Sequence, residues 1–564
     1  MKIIFVLAFS LFIRLIFLNV YPNGLTNDEL HFVLNAKAVY LNFSNLAENW
    51  SPLSLKTIPG EPSSELTFLT LGPFIGPFPL NLFTARLPYV LFGVASIYLL
   101  FLITSQLFNP KIGYLTALIA SINPWLFFVN RTSFDAPIAI FFFLLTLYCL
   151  LKLKGNLLFF SLIPSVFAFY TYIGTKVIYV PAIVLFCLFT AKFRRKYFSQ
   201  YFIISLLSLF LFIFYIFSLK NNGGLIRTTE LWSPFSQNII LQVENERQLS
   251  VKSIFTPIFI NRYTVYFRLF ISKYLNNFSP DVLFLKGDPT YLISLWRHGY
   301  FYLTDIILFI LGSFFLFTKY RLRLYFLIGL ILLSPIPEAV RSDSIPAYAF
   351  HSSFQYPFLL IIVASGFYFL LSSIKNKIIK YLIVIFQILL FLNLTFVYFF
   401  SYPIYQPEGF FFSNRLISQF INFEQQNSTH SIVFLTREPT NMFRNFIFFS
   451  NALNKSTFKN IQQSSLNKDS IRYQNILFTN KLDTIDFSTT TLIIENALTN
   501  RNYPNVTSYS LNRLSDNQPM FSIFNSNLCS DQQSSKFPRT YNFSLFTPDK
   551  MSLPVFCKNF VSLN

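Results

Sequence analysis

Residues 84–108 read TARLPYVLFGVASIYLLFLITSQLF, an apolar run of membrane-spanning length whose one ionised residue, Arg86, stands near its start. Comparable runs fall at 3–20, 112–130, 135–151, 156–173, 176–191, 198–219, 299–318, 322–338, 353–374 and 380–400, about eleven in all. The composition agrees: of 564 residues, 53 % are hydrophobic and only 12 % charged, against about 25 % charge in a soluble chain. So few ionic groups cannot cover a globular surface, which excludes a soluble protein. We expect a polytopic α-helical membrane domain over 1–400. The first run could be a signal peptide, but Arg14 interrupts it and no small-x-small cleavage site follows, so it is read as an uncleaved span. The 75 Phe residues accompany abundant Ile, Asn and Lys. Codon bias produces such a pattern, and no function is read from it.

The turns between runs set the orientation. The formal charge is +20, from 44 basic and 24 acidic residues. In a soluble chain this would suggest nucleic acid; here the cations gather in short turns, and no nucleic-acid partner is expected. Lys111, then Lys152 and Lys154, then Lys192, Arg194, Arg195 and Lys196, then Lys319, Arg321 and Arg323, then Lys375, Lys377 and Lys380 all fall in alternate turns. Basic turns of this kind stay in the cytoplasm. The reading is a multi-pass plasma-membrane protein with a cytoplasmic N-terminus, outer loops at 21–83 and 220–298, and the tail 401–564 outside. That tail is polar. Runs such as 431–435 and 491–494 alternate with amphipathic stretches such as 412–424, predicting a small extracytoplasmic α/β domain.

Cys149 and Cys187 lie in apolar runs, whereas Cys529 and Cys557 are the only two in the tail. An outer compartment permits a bridge between them. The alternative is two free thiols, because sequence alone cannot bring their Cα atoms together. No zinc-type Cys/His array is visible and no cofactor is expected. A carboxylate pair could still hold a divalent cation, though no motif indicates one.

The most informative polar stretch is Thr26-Asn27-Asp28-Glu29-Leu30-His31-Phe32, directly after the first run. Two acids open a predicted helix to about Tyr40, with Thr26 or Asn27 as its cap. Acids favour a helix N-terminus for electrostatic reasons alone. They also suit a base that takes a proton from a hydroxyl. Arg86, Arg131 and Lys176 sit at turns on the side where cations are disfavoured, beside Asp135 and Tyr172. Each could be a snorkelling anchor; together with Asp28 they could instead line one polar pocket. Three further segments mix aromatic and charged residues. Residues 278–288 carry Asp281 and Asp288, 296–300 carry His298, and 335–351 carry Glu338, Arg341, Asp343 and His351. Ordinary loop structure accounts for each taken singly.

The ordered set resembles the GT-C membrane glycosyltransferases, of the protein O-mannosyltransferase and lipid A aminoarabinose transferase type. It comprises a short first span, an outer Asp-Glu pair, Arg-Leu-Pro opening the second span, an outer Arg…Asp turn, a Tyr-Thr-Tyr…Lys turn and a Phe-Ser-Pro-Asp…Gly-Asp loop. The similarity covers about 1–400; the tail is similar only in position. The resemblance implies sugar transfer from a polyprenyl-phosphate donor to an acceptor hydroxyl outside the cytoplasm, among membrane lipids, with a protein, lipid or glycan as acceptor. It implies Asp28 as the catalytic carboxylate, with Glu29 beside it. Arg86, Arg131, Lys176 and Arg341 are then donor-phosphate candidates. His31, Asp135, Tyr172, Asp281, Asp288, His298, Asp343 and His351 are substrate-binding candidates. A phosphate leaves readily, so the acceptor needs a base more than the leaving group needs an acid, and a carboxylate opposite it would give inversion. A glycan polymerase or ligase would use the same donors. A transporter or flippase should instead show broken helices and mid-membrane charge, whereas charge here gathers at span ends.

Overall fold

A computed structural model of the chain describes residues 2–47, 66–221, 233–287, 298–341, 348–466, 469–481, 489–498, 508–529 and 541–563. Among these, six helices are long and apolar enough to cross a membrane: Leu82–Leu107, Ile173–Phe193, Arg195–Phe217, Asp305–Ala339, Gln355–Ser373 and Lys377–Tyr405. Three shorter apolar helices, Pro110–Ile122, Ala136–Lys152 and Gly155–Thr171, lie between them in sequence. The chain is a polytopic helical membrane protein that carries a sheet in its C-terminal region.

Local chemistry sets the breaks. The run read as 112–130 is two helices, because Asn123 precedes Pro124 and takes an extended conformation (φ −65°, ψ 132°). A residue before proline is pushed out of the helical region. Asn123 then caps the second helix, its Oδ1 accepting from the Leu126 N–H at 3.0 Å. The runs read as 299–318 and 322–338 meet at Tyr320, whose φ −142° and ψ 42° interrupt Asp305–Leu333. Before the break, Gly312 lies backbone-to-backbone against Ile362 and Gly366, where a Cβ would stand 2.0 Å from the Ile362 carbonyl. After it, Phe326 stacks on Phe189 at 4.0 Å. The first helix spans Lys2–Leu15. Its Arg14 is buried, with Nη1 donating to Ser10 Oγ at 2.7 Å and to the Ser121 carbonyl at 2.9 Å.

Among the described residues the C-terminal sheet has seven strands: Ser431–Leu435 (β1), Ser470–Tyr473 (β2), Ile476–Thr479 (β3), Thr490–Glu495 (β4), Ser508–Asn512 (β5), Pro519–Phe524 (β6) and Val561–Leu563 (β7). Their order is β2-β3-β1-β4-β6-β5-β7. β1 runs parallel to β3 and β4, and the remaining pairs are antiparallel. The helix Phe412–Asn427 buries Glu424, whose carboxylate accepts from Thr491 Oγ1 at 2.8 Å and Ser526 Oγ at 2.7 Å. On the helix Pro439–Phe449, Phe443 and Phe446 pack on Tyr473 and Phe478.

Cys529 and Cys557 are bridged, with Cα atoms 5.6 Å apart. Closing a loop of this length stabilises a fold by about 3–4 kcal/mol. Alkylation of unreduced protein followed by mass mapping should therefore label Cys149 and Cys187 at most. Free labelling at 529 and 557 would overturn the bridge.

The sheet region is fastened to the segment before and after the 27–42 helix. Arg415 Nη1 donates to the Asn23 carbonyl at 2.6 Å. The Leu80 N–H donates to Asn451 Oδ1 at 2.7 Å, and Gln462 Nε2 to the Asn45 carbonyl at 2.7 Å. Gly24 passes so close beneath Phe410 that a Cβ would stand 2.1 Å from its carbonyl oxygen.

Candidate active site around Asp28

The helix Asn27–Asn42 opens with a capping box. Thr26 Oγ1 accepts from the Glu29 N–H at 3.2 Å, and Glu29 Oε2 accepts from the Thr26 N–H at 2.8 Å. This reciprocal pair satisfies two helix-end donors, and it separates the fates of two adjacent acids. Glu29 is turned inward at 0 % exposure, and its Oε1 accepts from the Ser133 N–H at 2.7 Å. Ser133 Oγ in turn donates to the Ala85 carbonyl at 3.2 Å. Glu29 thus ties the 27–42 helix to the 131–135 turn and to the helix Leu82–Leu107. Asp28, one residue earlier, is exposed although Thr26, Leu30 and His31 around it are buried.

Asp28 opens to solvent from a recess. The surrounding protein raises its pKa above the ordinary carboxylate value, while the nearby Arg341 and Arg444 pull it down. Glu29 is likewise raised by burial, against Arg86 and the hydrogen bonds of Thr26 and Ser133.

Arg341 is held from behind. His351 Nδ1 lies 2.7 Å from Glu338 Oε2, and Arg341 Nη1 lies 2.5 Å from His351 Nε2. A neutral imidazole that donates from Nδ1 and accepts at Nε2 fits both contacts. Burial, with Arg341 and Lys273 nearby, pushes the His351 pKa well below its usual value and keeps it neutral. Tyr172 stacks over His351 at 6.4 Å and 12°. Asp135 lies close enough to Tyr89 and Tyr172 to act on both electrostatically. Lys273, from the helix Arg262–Asn276, donates to the Arg341 carbonyl at 3.2 Å.

The remaining cations are placed differently. Arg86 and Arg131 lie together in the interior, both at 0 % exposure. Arg86 Nη1 donates to the Pro22 carbonyl at 2.8 Å and Nη2 to that of Gly24. Arg131 donates to the Arg14 carbonyl at 2.6 Å, the Tyr21 carbonyl at 3.3 Å and Tyr398 Oη at 3.1 Å. The segment between the first two helices has carbonyls but no ladder, and buried carbonyls need donors. A guanidinium carries five, so these arginines hold the segment that leads into Asp28. Lys176 is surrounded by rings, its ammonium 5.1 Å from that of Tyr215 and 5.9 Å from those of Phe169 and Tyr170. The geometry therefore does not gather Arg86, Arg131 and Lys176 into one open recess.

His31 packs edge-on against Phe68 at 5.4 Å, with Asn35 Nδ2 3.1 Å from its Nδ1. His298 contacts the Gly299 carbonyl at 3.0 Å and the Tyr302 ring, and burial lowers its pKa. Asp281 is on the surface, paired with Lys286 at 3.1 Å. Asp288 and Asp343 lie outside the described residues. Among the described residues no group of three or more His, Cys, Asp or Glu side chains could hold a metal ion.

Lys273 and Arg444 were not singled out in the sequence. Each is a cation on an amphipathic helix, a pattern that a solvated face also produces.

This arrangement sits on a known architecture. The structure of ArnT from Cupriavidus metallidurans in the apo state matches 93 % of this chain and 97 % of its own, at a TM-score of 0.52 and 10 % identity. The chain has the GT-C fold. The same protein bound to undecaprenyl phosphate matches at 0.44 and 12 % identity, over 93 % of this chain and 98 % of that one. The Archaeoglobus fulgidus oligosaccharyltransferase in complex with Zn and sulfate matches at 0.43 and 11 % identity, over 88 % and 68 %. By sequence, residues 75–218 match the family described as dolichyl-phosphate-mannose-protein mannosyltransferase. No curated protein matches the sequence as a whole or in part. The resemblance to GT-C glycosyltransferases thus holds at the level of fold and over one sequence segment.

Proposed function

We propose that this protein transfers a sugar from a polyprenyl-phosphate donor to an acceptor hydroxyl on the extracytoplasmic face of the plasma membrane, with inversion. The observation that carries the reading is Asp28, the solvent-reachable acid on a buried helix N-terminus, faced by two arginines. Asp28 takes the acceptor proton as the acceptor oxygen bonds to the anomeric carbon. The bond from that carbon to the phosphate oxygen breaks, and a lipid phosphate leaves with one more negative charge. Guanidinium groups stabilise such charge when they are fixed beforehand. Arg341, braced by His351 and Glu338, is placed for this. Lys176, in its aromatic cage, is the second phosphate candidate. We assign Arg86, Arg131 and Glu29 to positioning the Asp28 helix.

In this reading residues 1–400 form the membrane catalytic domain and 401–564 an outer domain that forms one wall of the site through Arg444. The disulfide favours an oxidising compartment for that domain. The fold match and the matching family segment support a lipid-phosphate donor.

The test is transfer by purified protein, using a panel of polyprenyl-phosphate sugars with the Asp28→Asn protein as blank. Absence of transfer or donor hydrolysis across the panel would refute the reading.

A pH profile adds a second check. Asp28 must be ionised, and the protein packed around its recess raises its pKa. Activity should therefore fall on the acid side at a pH above the ordinary carboxylate range. Removing a neighbouring positive charge raises an acid's pKa further. Arg444→Gln should move that acid limb to still higher pH, and Arg444→Lys should restore it. An unmoved limb in Arg444→Gln would remove Arg444 from the site.

A further inference from the structure

The helix Leu82–Leu107 reaches the Glu29–Ser133 tie near Ala85 and ends roughly 30 Å away at Leu107. At that far end it meets the ends of Ala136–Lys152 and Ile173–Phe193, and a cavity of about 330 Å³ opens between them. Gln106, Thr190, Arg194 and Arg323 supply its polar lining, beside Phe189 and Phe193. None of the described lining residues is acidic.

The two arginines come from different helices and are held in place. Arg323 lies over the rings of Tyr320, Phe193 and Phe108, at 5.0, 5.9 and 6.0 Å. Arg194 Nη1 donates to the Leu153 carbonyl at 2.8 Å and the guanidinium also bonds the Tyr201 side chain, which leaves further donors of its five for a ligand. The helix C-termini that meet here carry partial negative charge, which two full positive charges exceed.

A second cavity, of about 300 Å³ and almost wholly apolar, runs between Ile173–Phe193 and Phe198–Asn221. It is lined by Val184, Leu188, Phe198 and Phe202 among others. Leu188, Phe198 and Phe202 expose more than half of their surface. Leu188 and Ala191 of this groove lie on a different face of the helix from Phe189 and Thr190 of the polar cavity; the two approach each other at the helix end, where Arg194 of the polar cavity bonds the Tyr201 side chain of the groove.

We infer that the two cavities together bind one anionic phospholipid, its phosphate between Arg194 and Arg323 and an acyl chain in the apolar groove. Basic pockets between transmembrane helices recognise anionic headgroups. The exposed apolar flank favours a lipid over a soluble anion. The site is remote from Asp28 and serves the leaflet that the basic turns face.

Native mass spectrometry and thermal unfolding of the full chain in detergent test it, with phosphatidylglycerol, phosphatidylcholine and soluble glycerol phosphate as probes. Phosphatidylglycerol should bind and raise the unfolding midpoint, and the other two should not. Arg323→Gln, which leaves the Arg194–Leu153 bond intact, should weaken phosphatidylglycerol about tenfold, the worth of one charge-assisted hydrogen bond. Arg194→Gln should do the same. Arg321→Gln, on an exposed residue at the same turn, should change nothing. Equal binding of phosphatidylcholine, or undiminished preference in Arg323→Gln, would overturn the proposal. Equal stabilisation by glycerol phosphate would overturn the lipid as ligand.

Discussion

Asp28→Asn should lose sugar transfer by about 10²–10⁴-fold, the usual contribution of a positioned general base, while expression and unfolding midpoint stay at wild-type values. The substitution keeps size and shape. Asp28 is not the cap of its helix, because Thr26 is, so the helix keeps its start. What disappears is the one solvent-reachable carboxylate of the first turn, and with it the ability to take a proton. Transfer assayed beside thermal unfolding separates this from a folding defect. Near-normal turnover in the Asn protein would sink the assignment of Asp28.

Glu29→Ala should show the reverse pattern. Its carboxylate satisfies the buried N–H groups of Thr26 and Ser133 and faces the buried Arg86. Truncation strands two donors and leaves a buried guanidinium without its counter-charge, a loss of about 3–5 kcal/mol. The expected result is a clearly lowered unfolding midpoint and poor expression. Glu29→Gln keeps an acceptor for one of the two N–H groups and should cost less, with turnover reduced far less than in Asp28→Asn. A Glu29→Ala protein of wild-type stability would show that the carboxylate does not fasten the 27–42 helix to the 131–135 turn.

The contrast between these neighbours shows where sequence reading stops. A Thr followed three residues later by Glu is a capping-box signature, and the helix from residue 27 was legible from it. Which acid faced inward was not, since that depends on the Ser133 N–H, 104 residues away. The arginines repeat the lesson. Arg86 and Arg131 on the disfavoured side of the membrane suggested a phosphate site. In the fold they donate to the Arg14 carbonyl at the end of the first helix and to the carbonyls of Tyr21, Pro22 and Gly24 beyond it, which have no helix or strand partner.

Apolar runs, helix caps, the Asn123-Pro124 break and strands β1 and β4 are local properties of the chain. Each is set by residues within a few positions of one another, so the sequence by itself determined the membrane helices and the mixed character of the tail. Only the tertiary structure decided which charges face the recess. Arg341 and Arg444 act on Asp28 from separate regions of the chain, and Arg415 fastens Asn23 across 392 residues. Partners that distant are chosen by packing, because a buried donor or charge takes whichever group the fold brings within hydrogen-bond reach.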